Sequence, residues 1–164
     1  MASKTNPASH KKSVYVAGPL FSDAERTFNR RLKSILLKYF DVYLPQEDGK
    51  LLVEMIARGV PAQRASREIF DSDVEAILRC DILLVVLDGR SVDEGAAFEL
   101  GVAYANGKEC VALQTDPRRL LPVGNNPMIQ EAVSMVFGSA ADMEAWAQNI
   151  SVARRVGPKS ARTA

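Results

Sequence analysis

The run Ile82-Leu83-Leu84-Val85-Val86-Leu87 constrains this chain more than any other feature. Six consecutive apolar residues between Asp81 and Asp88 leave no side of a strand that water could wet. A strand of that kind belongs in the middle of a parallel sheet, buried on both faces. Such a sheet needs helices above and below it, so the rest of the chain has to alternate strand and helix.

It does. Shorter apolar runs predict strands over 14–17, 41–44, 110–114 and 135–137, beside the central one over 82–87. Ser22 with Glu25 forms a capping box that opens a helix over 23–39. Phe28, Leu32, Ile35, Leu36 and Tyr39 share one face of it. Pro45 closes the second strand, and 46–50 reads as a polar loop. One or two helices are predicted within 51–79, divided near Gly59-Val60-Pro61. Further helices fall over 93–106, stopped by Gly107, and over 128–133 and 140–150. The expected fold is α/β: a single-domain, doubly wound (flavodoxin/Rossmann-like) parallel sheet of about five strands with helices on both faces. The domain is expected over 13–150, between flexible basic tails over 1–12 and 151–164.

Charge bears on the partners. The net charge is +1, but Lys4, Lys11, Lys12, Arg154, Arg155, Lys159 and Arg162 lie in the two end segments, where no acid accompanies them. Without those seven, fourteen basic residues face twenty acidic ones, a body of about −6. An acidic body argues against a nucleic-acid groove. No apolar run approaches a membrane span and the N-terminal stretch is polar, so a soluble, cytoplasmic protein is expected. Cys80 and Cys110 lie in apolar segments without metal-ligand spacing and read as buried small hydrophobes in a reducing compartment.

The usual catalytic and nucleotide motifs are missing. The sequence has no G-x-G-x-x-G, no G-x-x-x-x-G-K-[ST] and no G-x-S-x-G. The one histidine, His10, falls in the N-terminal tail, so a Ser-His or Cys-His mechanism has no base. Neither a metal nor a cofactor is expected. Catalysis would have to rest on carboxylates, tyrosines and amides.

Asp73, Asp88, Asp93 and Glu99 lie near strand ends or on the helices facing them. Carboxylates alone can carry substitution at a sugar's anomeric carbon, one as nucleophile and another as the acid for the leaving group. Each residue also has a plainer explanation. Asp73 reads as a solvated helix residue, Tyr15 as a core aromatic, and Asp81 and Asp88 as turn residues. Asp93 reads as an N-cap or a favourable charge at the helix dipole, while Ser91 and Glu94 also match a capping box. Glu99 has Gly95, Ala96 and Ala103 as helical neighbours, which places a carboxylate beside empty space.

Together these residues resemble the nucleoside 2-deoxyribosyltransferases over about 13–150. Val14-Tyr15-Val16-Ala17-Gly18-Pro19 resembles the family's opening strand and substrate loop. Asp73, eight residues before Asp81, matches an aspartate that contacts the nucleobase. The run D-E-G-A-A-F-E-L-G matches the second base-binding aspartate, Asp93, and the nucleophilic glutamate, Glu99. Asn126-Pro127-Met128 matches an N-x-M segment that a neighbouring subunit inserts at the sugar's 5′-hydroxyl end.

The resemblance implies a covalent double displacement that retains configuration at C1′. Glu99 would attack C1′ of a purine or pyrimidine 2′-deoxynucleoside, Asp73 and Asp93 would hold and protonate the departing base, and a second free nucleobase would take the sugar. Tyr15 would orient Glu99, and Gly18, Pro19, Phe21 and Gly95 would line the substrate, with Phe21 as a wall. It also implies a homo-oligomer, dimer or larger, in which Asn126 and Met128 serve a neighbour's site. The family's C-terminal aromatic and carboxylate have no counterpart carried onto Ala164, and the segment Leu20-Phe21-Ser22-Asp23 leaves the purine or pyrimidine preference open.

Two rival readings stand beside this one. The first is an N-glycosidase of nucleosides or of deoxynucleoside 5′-monophosphates. Monophosphate relatives carry serine where this chain has Asn126, and the acidic, apolar loop at 19–23 suits a phosphate dianion poorly. The second is a non-catalytic nucleoside-binding module.

Overall fold

A computed structural model describes residues 11–118 and 124–155. The basic residues expected in tails at 1–10 and 156–164 lie outside that range. The elements run β1 (Ser13–Ala17), α1 (Asp23–Leu36), β2 (Asp41–Tyr43), α2 (Pro45–Asp48), α3 (Leu52–Ala57) and α4 (Ala62–Arg79). They continue β3 (Ile82–Val86), α5 (Glu94–Ala105), β4 (Glu109–Leu113), α6 (Pro127–Gln130), β5 (Val136–Phe137) and α7 (Ala140–Arg155). All four strand pairings are parallel and the order is β2-β1-β3-β4-β5. That is the flavodoxin-like order, with the switch point between β1 and β3.

β3 is the central strand, every residue of it buried. Period-2 alternation sorts its neighbours between two cores. Val14, Val16, Ile82, Leu84, Val86, Val111 and Leu113 point to the face covered by α1 and α7. There Phe40 and Phe137 pack on Trp146 with ring centroids 5.7 and 5.2 Å away. Tyr15, Ala17, Leu83, Val85, Leu87, Cys110 and Ala112 point to the opposite face, under α4 and α5. This second core is built mostly of small side chains, with Ala76 and Cys80 at the end of α4 and Ala96 and Ala103 on α5. Cys80 and Cys110 are both buried and free.

Some boundaries differ from the sequence reading. Residues 45–48 form a short helix, not part of a polar loop, because Pro45 at the first helical position is preset for that turn. The stretch 51–79 holds two helices, and Gly59 between them sits at φ +85°, where a side chain would be strained. α7 continues through Arg155, so residues 151–155 are helical rather than tail. Asp88 acts as the expected turn residue, accepting from Thr115 N, Thr115 Oγ1 and Asp116 N at 2.6–2.8 Å, which ties the ends of β3 and β4 together. At the other end of β3, Asp81 accepts from Ser13 N at 2.8 Å and joins the starts of β3 and β1. Among the described residues no helix is long and apolar enough to cross a membrane.

The two-core sheet predicts where truncation hurts. Leu84 is fully buried at the sheet centre, and Leu84→Ala is expected to cost about 2–5 kcal/mol in urea unfolding. Val53, 80% exposed on α3, is expected to tolerate Val53→Ala within about 0.5 kcal/mol.

Candidate active site

The site begins with strand register. Tyr15 on β1 lies beside Tyr43 on β2, so both rings stand on the α4/α5 face of the sheet. They stack with centroids 5.3 Å apart and planes at 15°. Each hydroxyl then meets a different helix. Tyr15 Oη donates to Glu99 Oε1 on α5 at 2.6 Å. Tyr43 Oη donates to Asp73 Oδ1 on α4 at 3.2 Å. Two carboxylates from two helices are thus each held by one phenol of a stacked pair.

Between α4 and α5 lies a cleft of about 360 Å³, with Asp73, Gly95 and Glu99 among its lining residues. Its walls are apolar: Leu52 from α3, Ile69 and Phe70 from α4, and Phe98 from α5. The Phe70 and Phe98 rings meet at 5.8 Å and are about half exposed. This is the general form of a small-molecule site, apolar walls with a few convergent polar groups.

Burial sets the charge states. It pushes Glu99 up to about 7, with Asp73 and Asp93 adding repulsion and the Tyr15 hydrogen bond opposing it. Burial also raises Asp73, and here the Tyr43 hydrogen bond opposes. Tyr15 is driven far above the ordinary phenol value, first by burial and then by the neighbouring Glu99. It therefore stays protonated and acts as a donor at any working pH.

Asp93 is the N-cap of α5, its Oδ1 accepting from Ala96 N at 2.9 Å. The Ser91–Glu94 capping box expected from sequence does not form, because the backbone leaves the helix at Asp93 and not at Ser91. Gly95 gives that cap room, since a Cβ there would lie 3.1 Å from Asp93 Oδ1. Ala96 and Ala103 do not border empty space. They are buried against the sheet and let α5 lie close to it.

Other expected residues are not brought into the cleft. Phe21 is 74% exposed and does not wall it. Gly18 and Pro19 are also absent from the lining. Gly18 ends β1 where a Cβ would meet Val86 Cβ at 3.1 Å, and Pro19 O accepts from Asn29 Nδ2 at 2.9 Å. Asn126 caps α6 through Met128 N at 2.9 Å. With Met128, 81% exposed, it borders a separate hollow of about 260 Å³. Among the described residues no group of three or more His, Cys, Asp or Glu is arranged to hold a metal.

Compared with known families, residues 14–153 match the profile of the nucleoside 2-deoxyribosyltransferases. The chain belongs to the nucleoside 2-deoxyribosyltransferase family. Similar solved structures include a conserved protein from Enterococcus faecalis V583, 30% identical, with a TM-score of 0.65 over 85% of this chain and 98% of that one. The 2-deoxyribosyltransferase of Bacillus psychrosaccharolyticus superposes with a TM-score of 0.67 over 80% of this chain and 90% of that one. At 22% identity that likeness speaks to fold. An uncharacterized protein of Ureaplasma parvum serovar 3 is 29% identical over 100 residues, 59% of this chain. The match spans 62% of that relative's own length.

Two parts of this deoxyribosyltransferase-family cleft escaped the sequence reading. Tyr43 sits in a three-residue strand and carries no motif. The α4 wall does carry a signal: Ser66, Ile69, Phe70, Asp73, Val74 and Ile77 recur at helical spacing and line one stripe. A single acid in a stripe that is otherwise apolar but for Ser66 marks Asp73 as more than a solvated helix residue.

A family cleft of this kind carries a stability cost. A carboxyl whose pKa is higher folded than unfolded makes the folded state bind the extra proton, so stability falls as pH rises between the two values. For Glu99 that window runs from about 4.5 to about 7. Glu99→Gln keeps an acceptor for Tyr15 and removes the charge. It is expected to stabilise the fold by about 3 kcal/mol at pH 8 and by little at pH 4, read from urea unfolding at both.

Proposed function

We propose that this protein transfers the 2-deoxyribosyl group of a purine or pyrimidine 2′-deoxynucleoside to a second free nucleobase, through a covalent ester on Glu99. The observation that carries the reading is the 2.6 Å Tyr15–Glu99 hydrogen bond, whose glutamate lines the same cleft as Asp73. The phenol occupies Oε1, and Oε2 has no hydrogen-bond partner among the described residues. That second oxygen is the attacking atom.

In the first step Glu99 Oε2 bonds to C1′ and the C1′–N bond breaks. Its electron pair stays on the base nitrogens, which take a proton from Asp73, with Asp93 Oδ2 as the second base contact. Asp73 suits the acid role because burial favours its protonated form. In the second step a nitrogen of the incoming base bonds to C1′ as the ester bond breaks. The incoming base's proton returns to the acid, and Glu99 is restored as a carboxylate. Two inversions give net retention. The missing 2′-hydroxyl makes the oxocarbenium-like transition states easier to reach. When no acceptor base is bound, water discharges the ester and the reaction becomes hydrolysis. No cofactor enters either step.

Asn126 and Met128 enter as groups given to a neighbouring subunit's sugar site, in a homodimer or larger assembly. Their position at a hollow separate from the cleft, and the exposure of Met128, support service in trans. The two free cysteines fit a cytoplasmic setting.

The test incubates the protein with 2′-deoxyinosine or thymidine, with and without adenine, followed by chromatography. New deoxynucleoside is the expected result, free base alone means hydrolysis, and no change in any mixture overturns the reading. Glu99→Ala is expected to lower exchange at least about 10³-fold, as removal of a covalent nucleophile does. Ionised Glu99 is the attacking form, so single-turnover base release should fall as pH drops through about 7. Mixing Glu99→Gln protein with Asn126→Ala protein should regain activity that neither has alone, since hybrid assemblies hold one intact site. Failure of the mixture to regain activity overturns the trans assignment.

A further inference from the structure

Tyr43 has no part in the reaction described above, yet its hydroxyl meets both a carboxylate and the backbone of a covering loop. It donates to Asp73 Oδ1 at 3.2 Å. The chain passes over it at Gly49, where a Cβ would lie 3.2 Å from Tyr43 Oη and 2.6 Å from Pro45 O. Only a residue without a side chain fits there, so the loop after α2 closes directly on the phenol. From below, the Tyr43 ring is braced by its parallel stack on Tyr15. The ring, the hydroxyl and the covering loop are all fixed, and what they fix is one oxygen of Asp73. Asp73 Oδ2 has no hydrogen-bond partner among the described residues.

We propose that Tyr43 is a positioning residue, whose hydroxyl anchors Asp73 Oδ1 and so keeps the second carboxyl oxygen available to the departing base. This rests on the transfer reaction proposed above and assigns it a further residue. The geometry makes the two carboxylates a matched pair. Tyr15 commits one oxygen of Glu99 and Tyr43 commits one oxygen of Asp73, each leaving the other oxygen for C1′ or for the base. Because the two phenols stack, the spacing of the two committed oxygens is set by the β1–β2 register and not by loop conformation. A proton donor that must meet a leaving group in one direction gains from such fixing, since misplacement by an ångström can cost two orders of magnitude in rate. Gly49 lets the chain close over the anchor.

The test measures kcat and KM on whichever deoxynucleoside the wild type cleaves, for Tyr43→Phe alone and in the Asp73→Asn background. Tyr43→Phe keeps the stacked ring and removes only the hydroxyl. A roughly tenfold fall in kcat with KM within about twofold is expected. In the Asp73→Asn background the same change should add no further loss, because a residue that acts through Asp73 has nothing left to position. Equal losses from Tyr43→Phe with and without Asp73 would overturn the proposal, as would a change confined to KM. Wild-type protein that releases no base from any deoxynucleoside would instead overturn the transfer reading itself.

Discussion

Everything in the site depends on how closely α5 approaches the sheet. The face beneath α4 and α5 sets small side chains among its larger ones, Ala17, Cys110 and Ala112 on the strands and Ala96 and Ala103 on the helix. Small side chains on both surfaces shorten the helix-to-sheet distance. At that distance a tyrosine rooted in β1 reaches a glutamate on α5, and the 2.6 Å hydrogen bond between Tyr15 and Glu99 follows. Larger residues at those positions would lift the helix and part the pair. The parallel sheet supplies the rest, because register alone puts Tyr43 beside Tyr15 and turns both hydroxyls toward the helices.

The same closeness makes the site costly and reactive. A carboxylate taken out of water prefers to be protonated, and two further acids nearby strengthen that preference, so Glu99 rests near neutrality. The Tyr15 hydrogen bond works against burial but does not offset it. A poorly hydrated carboxylate with one oxygen held and one uncommitted has little solvation to shed, which suits the attack on carbon proposed for it. Stability surrendered at Glu99 is recovered elsewhere, in the fully buried β3 and the Phe40–Trp146–Phe137 cluster on the far face. The two faces differ in make-up: the aromatic cluster lies on one, and the alanines and cysteines concentrate on the other, beside the cleft.

How much of this was readable from the sequence depended on whether the signal was local. The run at 82–87 dictated a buried central strand, and the alternation around it dictated the doubly wound sheet, because burial on two faces has few topological solutions. The identity of the N-cap was not decidable, since both Ser91 and Asp93 fit the pattern and only backbone dihedrals choose between them. The small residues around Glu99 were ambiguous in a deeper way. A gap for a ligand and a close helix–sheet contact both ask for alanine, and Ala96 and Ala103 turned out to serve the contact. Tyr43 was hidden because its importance comes from register with a strand some thirty residues earlier in the chain. Phe21 looked like a wall on resemblance, but the loop that carries it is held by Arg26 Nη1 on Leu20 O and Phe21 O at 3.0 and 2.9 Å, and its ring stays in solvent. Asn126 and Met128 lie apart from the cleft within one chain, and their assigned role needs a second one.

The proposed transfer requires Glu99 to become covalently bonded to the sugar. The most direct measurement is mass spectrometry of protein acid-quenched within milliseconds of mixing with excess 2′-deoxynucleoside, followed by peptide mapping. A deoxyribosyl adduct on the peptide containing Glu99 is expected, formed at the rate of base release and chased away by added free base. Release of base with no adduct at any quench time, or an adduct on a different residue, would contradict it.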